Sequence, residues 1–234
     1  MVEDTSQLLD VLTGVEFFRG MSPTGLDAIL RLADLTSFDA DEYLFFQGDP
    51  ADVFYIVVDG RVKLTQVNEE GVQVILNYPG PGEAFGIVAV LREMAFPVTA
   101  QTVEPTRCLA WRDSQLKQMI LEYPQLGLNA IRILSKFIVE FQERIKELST
   151  ERVEQRVART LLRLAGAEEA GVSGSRAIDF RLTRQDIAEM SGATLFTISR
   201  ILSAWEREGL LGSDAQHITL LQPARLQELA EGRE

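Results

Sequence analysis

Along the chain the spacing of apolar residues changes character three times. Behind Ser22-Pro23, a pair suited to cap and start a helix, Leu26, Ile29, Leu30 and Ala33 recur at helical spacing. From Tyr43 onward the period shortens. The runs YLFFQ, VFYIVV, RVKLTQV and VQVILNY are rich in β-branched and aromatic residues and are parted by Gly48, Asp59-Gly60, Asn68 to Gly71, and Pro79 to Gly82. They predict short strands of a sandwich or barrel, with a hairpin at Asp59-Gly60, and TAQTVEPTRCLAW adds a strand pair around Pro105. From Leu126 the pattern is helical again. Ile131, Leu134, Ile138, Phe141, Ile145 and Leu148 alternate at spacings of three and four, an a/d seam of three heptads. A helix covering only its own β domain would show a wider apolar stripe, so the seam predicts a two-chain coiled coil.

Ser149-Thr150 breaks the heptad and predicts a cap for a helix carrying Val153, Val157, Leu161 and Leu164, with a hinge at Leu148 to Arg152. A loose linker, GAEEAGVSGSRA, leads to a short strand DFRL, two helices bent at Gly192, and a small hairpin GSDAQHITLL placed like the wing of a winged helix. The chain is thus expected to be α+β in three parts: a β-barrel domain over residues 1–124, a long helix and hinge over 125–150, and a winged helix-turn-helix over 151–234.

In the helix pair, Leu182 to Leu211, the residues Ile187, Ala188, Ile198, Ile201 and Leu202 close onto one small core. Thr194, Leu195, Phe196, Ser199 and Arg200 then point away from it, the arrangement by which a helix-turn-helix presents its second helix to a DNA major groove. A net charge of −12 argues against a nucleic-acid partner until its distribution is considered. Up to Leu148 the chain holds 12 basic and 22 acidic residues; beyond it 11 and 13, and all 11 cations there are arginines. The acidity therefore lies away from the helix pair, and arginine suits bidentate contact with phosphate or guanine.

One cysteine, Cys108, rules out an internal disulfide framework and leaves too few thiolates for a structural zinc or an iron–sulfur cluster built from one chain. The single histidine, His217, removes most other metal and haem options, and no cluster of nucleophile, acid and base suggests an enzyme. No apolar run approaches the roughly 20 residues a bilayer requires, and the acidic start MVEDTSQLLD lacks the basic beginning of a secretion signal. A cytoplasmic protein without a membrane partner is expected.

Glycine-turned strands, a dimer-type helix and LTRQDIAEMSGATLFTISRIL together resemble the Crp/Fnr family of bacterial transcription regulators over nearly the whole chain. The resemblance implies a homodimer on a two-fold symmetric double-stranded DNA operator, and contact with RNA polymerase if the protein activates. It also implies that Thr183, Arg184 and Gln185 hold phosphates at the start of the first helix. The candidate interface is then Thr183, Arg184, Gln185, Thr194, Leu195, Phe196, Thr197, Ser199 and Arg200. Arg200 matches the family's guanine-reading arginine and Ser199 a serine common in the Fnr branch. Phe196 stands where relatives carry a glutamate that accepts from cytosine; a phenyl ring cannot, but it can pack on a thymine methyl.

By the same resemblance the effector pocket comprises Gly86, Ile87, Pro97, Val98, Thr99, Phe141 and Gln142. Cyclic-AMP-binding members carry a glutamate and an Arg-Ser pair where this chain has Ile87, Pro97 and Val98, which offer a phosphodiester neither charge nor donors. Cyclic AMP is therefore disfavoured. The iron–sulfur cluster of the Fnr branch needs four cysteines and only Cys108 is present; haem is disfavoured because His217 lies in the expected wing. No cofactor is expected. The alternative reading is a cyclic-nucleotide-responsive sensor module that signals through protein partners.

Overall fold

The computed structural model describes residues 2–167, 174–213 and 217–233. The chain divides into two compact units, residues 1–72 with 76–140 and residues 73–75 with 141–234, so that one long helix is shared between them at Glu140 and Phe141. The first unit begins with α1 (Val2–Gly14), which the acidic opening concealed, then a 3₁₀ turn at Glu16–Phe18 and α2 (Pro23–Leu30). Ser22 caps α2 by accepting from the Gly25 amide at 3.1 Å, and Pro23 sits where a missing N–H costs nothing. The helix stops at Leu30, so Ala33 lies in the turn beyond it.

Eight strands follow: β1 (Asp34–Phe38), β2 (Tyr43–Phe45), β3 (Val53–Asp59), β4 (Val62–Val67), β5 (Gln73–Asn77) and β6 (Ala84–Phe85), then, after α3 (Ile87–Leu91), β7 (Thr99–Thr102) and β8 (Thr106–Arg112). They form two four-stranded sheets, ordered β1-β8-β3-β6 and β2-β7-β4-β5, and not a closed barrel. The expected hairpin at Asp59-Gly60 is likewise corrected, because β3 and β4 belong to different sheets. Gly60 carries the chain across at φ +84°, and a Cβ there would come within 2.5 Å of the Pro105 carbonyl oxygen. The strands on either side of Pro105 also part company: β7 pairs with β2 and β4, β8 with β1 and β3.

The near-continuous apolar run of β3 has a simple cause: both of its faces are covered. Phe54, Ile56 and Val58 alternate onto a core shared with Leu109, Trp111 and the helices, while Val57 and Cys108, opposite one another in the register, face the core between the sheets. Trp111 stacks on Phe54 at 5.1 Å and donates its indole N–H to the Ile29 carbonyl at 3.0 Å. Helix α4 (Asp113–Glu122) and the first part of α5 (Pro124–Thr150), up to Glu140, complete the unit; α3 and α4 had no clear periodic signal. The start of α5 docks through Leu126 and Ala130, and through buried Asn129, whose amide donates to the carbonyls of Phe17 and Arg19 at 2.9 Å each.

In the second unit α6 (Val153–Leu164) and β9 (Arg176–Ile178) precede α7 (Arg184–Ser191) and α8 (Leu195–Arg207), followed by β10 (Leu211–Ser213), β11 (Ile218–Leu220) and α9 (Pro223–Ala230). The strand expected at DFRL falls instead on Arg176–Ile178, where it joins a three-stranded sheet ordered β10-β11-β9. β10 and β11 pair antiparallel as the expected hairpin; residues 214–216 between them, and 168–173 of the expected linker, lie outside the described residues. The expected Ser149-Thr150 cap is corrected too. Both hydroxyls donate back to carbonyls one turn earlier inside α5, and it is Arg152 whose amide is capped, by Gln155 Oε1 at 2.9 Å. Among the described residues no helix is long and apolar enough to cross a membrane.

Candidate nucleic-acid interface

The helix pair α7–α8 is held from within by local capping. The Thr183 hydroxyl accepts from the Asp186 amide at 3.1 Å, and Asp186 Oδ2 accepts from the Thr183 amide at 2.9 Å, a reciprocal box at the start of α7. Thr194 caps α8 by accepting from the Thr197 amide at 3.2 Å, and the two threonine hydroxyls lie 2.9 Å apart. Between the helices Gly192 takes the left-handed conformation, φ 61°, that ends α7 and redirects the chain; a Cβ would lie 3.2 Å from the Leu148 side chain.

Ile187, Ala188, Ile198, Ile201 and Leu202 are all buried, as their spacing predicts, together with Trp205 and Met190. The opposite side of α8 is open. Thr194, Leu195, Phe196 and Arg200 are exposed, Phe196 at 78%, and Thr197 and Ser199 are half-buried. Among the described residues no hydrogen bond or ion pair engages Arg200. By contrast, the three residues expected to hold phosphate all have partners within the fold. Besides accepting, the Thr183 hydroxyl donates to Asp186 at 2.7 Å; Gln185 donates to Glu189 at 2.8 Å; Arg184 pairs with Glu206 at 3.2 Å. Glu206 also accepts from the Ser213 hydroxyl at 2.6 Å, so one carboxylate links the start of α7, the end of α8 and β10. Periodicity singles out Glu206 only as a polar position on a solvated turn and gives no sign of this role.

A second cluster escaped the sequence reading because its members are far apart along the chain. Glu147, near the end of α5 and only 6% exposed, lies 3.3 Å from Arg144, 3.6 Å from Arg159 and 3.6 Å from Arg163. Arg144 donates to the Met190 carbonyl and Arg156 to the Ser191 carbonyl at 2.9 Å, so arginines from α5 and α6 cap the end of α7. Burial and the neighbouring Arg163 push the Arg144 pKa down while Glu147 draws it up. The charged clasp on the first helix of the pair thus flanks the expected hinge, Leu148 to Arg152, on both sides.

The residues expected around an effector fall into two groups. In the first unit Gly86 precedes α3, Ile87 is buried against the helix-side core, Val98 packs on the core between the sheets, and Thr99 accepts from the Gln47 amide at 2.9 Å; Pro97 is exposed. Phe141 and Gln142 belong to the second unit and are exposed. Between the sheets Phe45 stacks on Phe96 at 3.6 Å, with Tyr55 and Phe85 beside them. Ile87, Pro97 and Val98 present no cation and no side-chain donor, and the ring cluster occupies the intersheet core, so these groups do not fit a cyclic nucleotide's phosphodiester. Cys108 lies in the same core, fully buried, and burial pushes its thiol up to about 12, which suits a small apolar filler better than a metal-binding thiolate. Among the described residues no group of three or more His, Cys, Asp or Glu side chains is placed to hold a metal ion.

Comparison with known proteins covers both units. The cyclic nucleotide-binding domain family matches residues 35–123 and the Crp-like helix-turn-helix domain family residues 155–229. The chain is 30% identical over 193 residues to the transcriptional activator protein FnrA of Stutzerimonas stutzeri, covering 82% of this chain and 78% of that one. It is 28% identical over 221 residues to the cyclic AMP receptor protein of Thermus thermophilus, covering 94% and 99% respectively. The structure of FixK2 from Bradyrhizobium japonicum superposes with a TM-score of 0.73 at 26% identity, covering 84% of this chain and 96% of that one. A Crp-like helix-turn-helix with an exposed face on its second helix, a cyclic nucleotide-binding fold and relatives of this kind make the chain a member of the Crp/Fnr family of DNA-binding transcription regulators.

Proposed function

We propose that the protein acts as a homodimer on a two-fold symmetric operator, with α8 of each copy in one of two successive major grooves. The observation that carries this reading is the division of α8 into a buried side, Ile198, Ile201, Leu202 and Trp205, and an open side bearing Leu195, Phe196 and Arg200, which has no partner among the described residues. The exposed stripe Ile131, Leu134, Ile138, Phe141, Ile145 and Leu148 supports pairing through α5, since six large apolar side chains in one line favour burial by a second copy. Residues 1–124 form the sensor, 125–150 the dimer helix and hinge, and 151–234 the DNA-binding domain. Thr183, Arg184 and Gln185 meet the flanking phosphates, with Glu206 holding the Arg184 guanidinium in place beforehand.

The protein performs no bond chemistry, works in the cytoplasm, and meets RNA polymerase if it activates. The matched helix-turn-helix supports DNA as the output in preference to a signalling partner protein. The side chains at Ile87, Pro97 and Val98 favour a signal other than a cyclic nucleotide. Any signal acts by binding more tightly to one of two arrangements of the dimer about the clasp at Glu147. Selection of bound sequences from random duplex DNA tests the reading. Enrichment of an inverted repeat with half-sites about 10 base pairs apart is the expected result; absence of any enriched sequence would overturn it.

A further inference from the structure

Phe196 is the most exposed of the twelve phenylalanines in the chain, at 78%, and it stands beside Leu195, itself 47% exposed. An apolar pair in the first turn of an otherwise polar, open helix face needs an apolar surface to cover it. In the major groove that surface is the C5-methyl group of a pyrimidine, and no other base edge offers one. The same stretch lacks the chemistry that would select cytosine: from Thr194 to Ala204 there is no aspartate or glutamate to accept from its N4 amino group. Glu206, the first carboxylate beyond, is held by Arg184 and Ser213. The Thr194 and Thr197 hydroxyls are drawn into the helix cap.

We propose that Phe196, backed by Leu195, is a methyl reader, so that thymine and 5-methylcytosine are equivalent at one operator position while uracil and unmethylated cytosine are discriminated against. The inference rests on the DNA-binding reading above. Cytosine methylation at that position then strengthens a weak site by one methyl contact per half-site. A phenyl ring makes no hydrogen bond to either the 4-oxo or the 4-amino group, so the contact distinguishes pyrimidines by the methyl alone. Arg200 lies one helical turn further on, about 6 Å along the axis, which places the methylated pyrimidine within about two base pairs of the guanine that Arg200 reads. Specificity is then divided between a hydrogen-bonded purine and a methyl contact.

The test uses the full-length protein and the duplex recovered by selection. At each pyrimidine near the conserved guanine, thymine is replaced in turn by deoxyuridine, cytosine and 5-methylcytosine, and affinity is measured by fluorescence anisotropy. One position is expected at which deoxyuridine and cytosine bind about fourfold more weakly per half-site, the equivalent of one buried methyl group. Changing both half-sites should multiply this to about fifteenfold, while 5-methylcytosine stays within about twofold of thymine. Phe196→Ala is expected to abolish the difference between thymine and deoxyuridine while keeping the preference for guanine. Because Phe196 lies outside the core, the variant tests the contact without disturbing the fold, and retention of guanine preference confirms that it is folded. Equal binding of thymine and deoxyuridine at every position by the unmodified protein would overturn the proposal. Failure to recover any duplex would instead strike at the DNA-binding reading itself.

Discussion

Arg200 concentrates the specificity argument into one side chain. It is exposed, unengaged among the described residues, and one turn from Phe196 on the open side of α8. Arg200→Ala is expected to cost about 1–3 kcal/mol at a cognate site and to relax preference at a single guanine. Binding to a panel of operators mutated at each position checks this; a uniform loss across the panel would mean that Arg200 touches only phosphate. The position of Arg200 was legible from sequence because helical spacing assigns side chains to faces. The state of Arg184 was not. Its pairing with Glu206 joins residues 22 apart, and no local pattern encodes which of several nearby carboxylates a guanidinium will choose. Cys108 lies between these cases: the apolar, β-branched run around it predicts a strand, and its buried place opposite Val57 follows from the strand register.

Among the elements, α5 serves two different surfaces. Its first turns dock on their own unit through Leu126, Asn129 and Ala130, while the stripe from Ile131 to Leu148 is exposed over roughly 26 Å, 17 steps of about 1.5 Å. The a/d spacing revealed the stripe. It did not reveal the docking face, which depends on a buried asparagine satisfied by two carbonyls from the Phe17–Arg19 turn. Replacing Ile138 and Phe141 together by glutamate places like charges in the proposed seam and is expected to yield monomers with weakened operator binding, as sedimentation and anisotropy would show. Dimers that persist with unchanged affinity would locate the interface elsewhere. At the far end of the helix buried Glu147 gathers Arg144, Arg159 and Arg163, while Arg144 and Arg156 hold the carbonyls that end α7.

For the molecule as a whole, a cyclic nucleotide-binding fold and the side chains within it point in different directions. The fold matches over residues 35–123, yet Ile87, Pro97 and Val98 lack the charge and donors that a phosphodiester requires, and stacked rings fill the core between the sheets. Titration calorimetry with cyclic AMP is expected to show no heat of binding, and micromolar affinity would overturn this account of the pocket. The distribution of charge has a related meaning: with most of the acidity before Leu148, the arginine-bearing half can approach DNA despite a net charge of −12. By itself the sequence determined the succession of parts, the two faces of α8, the apolar stripe on α5 and the lack of charge and donors at Ile87, Pro97 and Val98, because all of these are set by residue type and short-range spacing. Only the tertiary structure decided that the strands form two sheets instead of a closed barrel, that Asp59-Gly60 crosses between them, and that Glu206 and Glu147 gather arginines from distant segments. Those outcomes depend on which surfaces meet after the chain has folded back on itself, and periodicity along one segment carries no information about its partner.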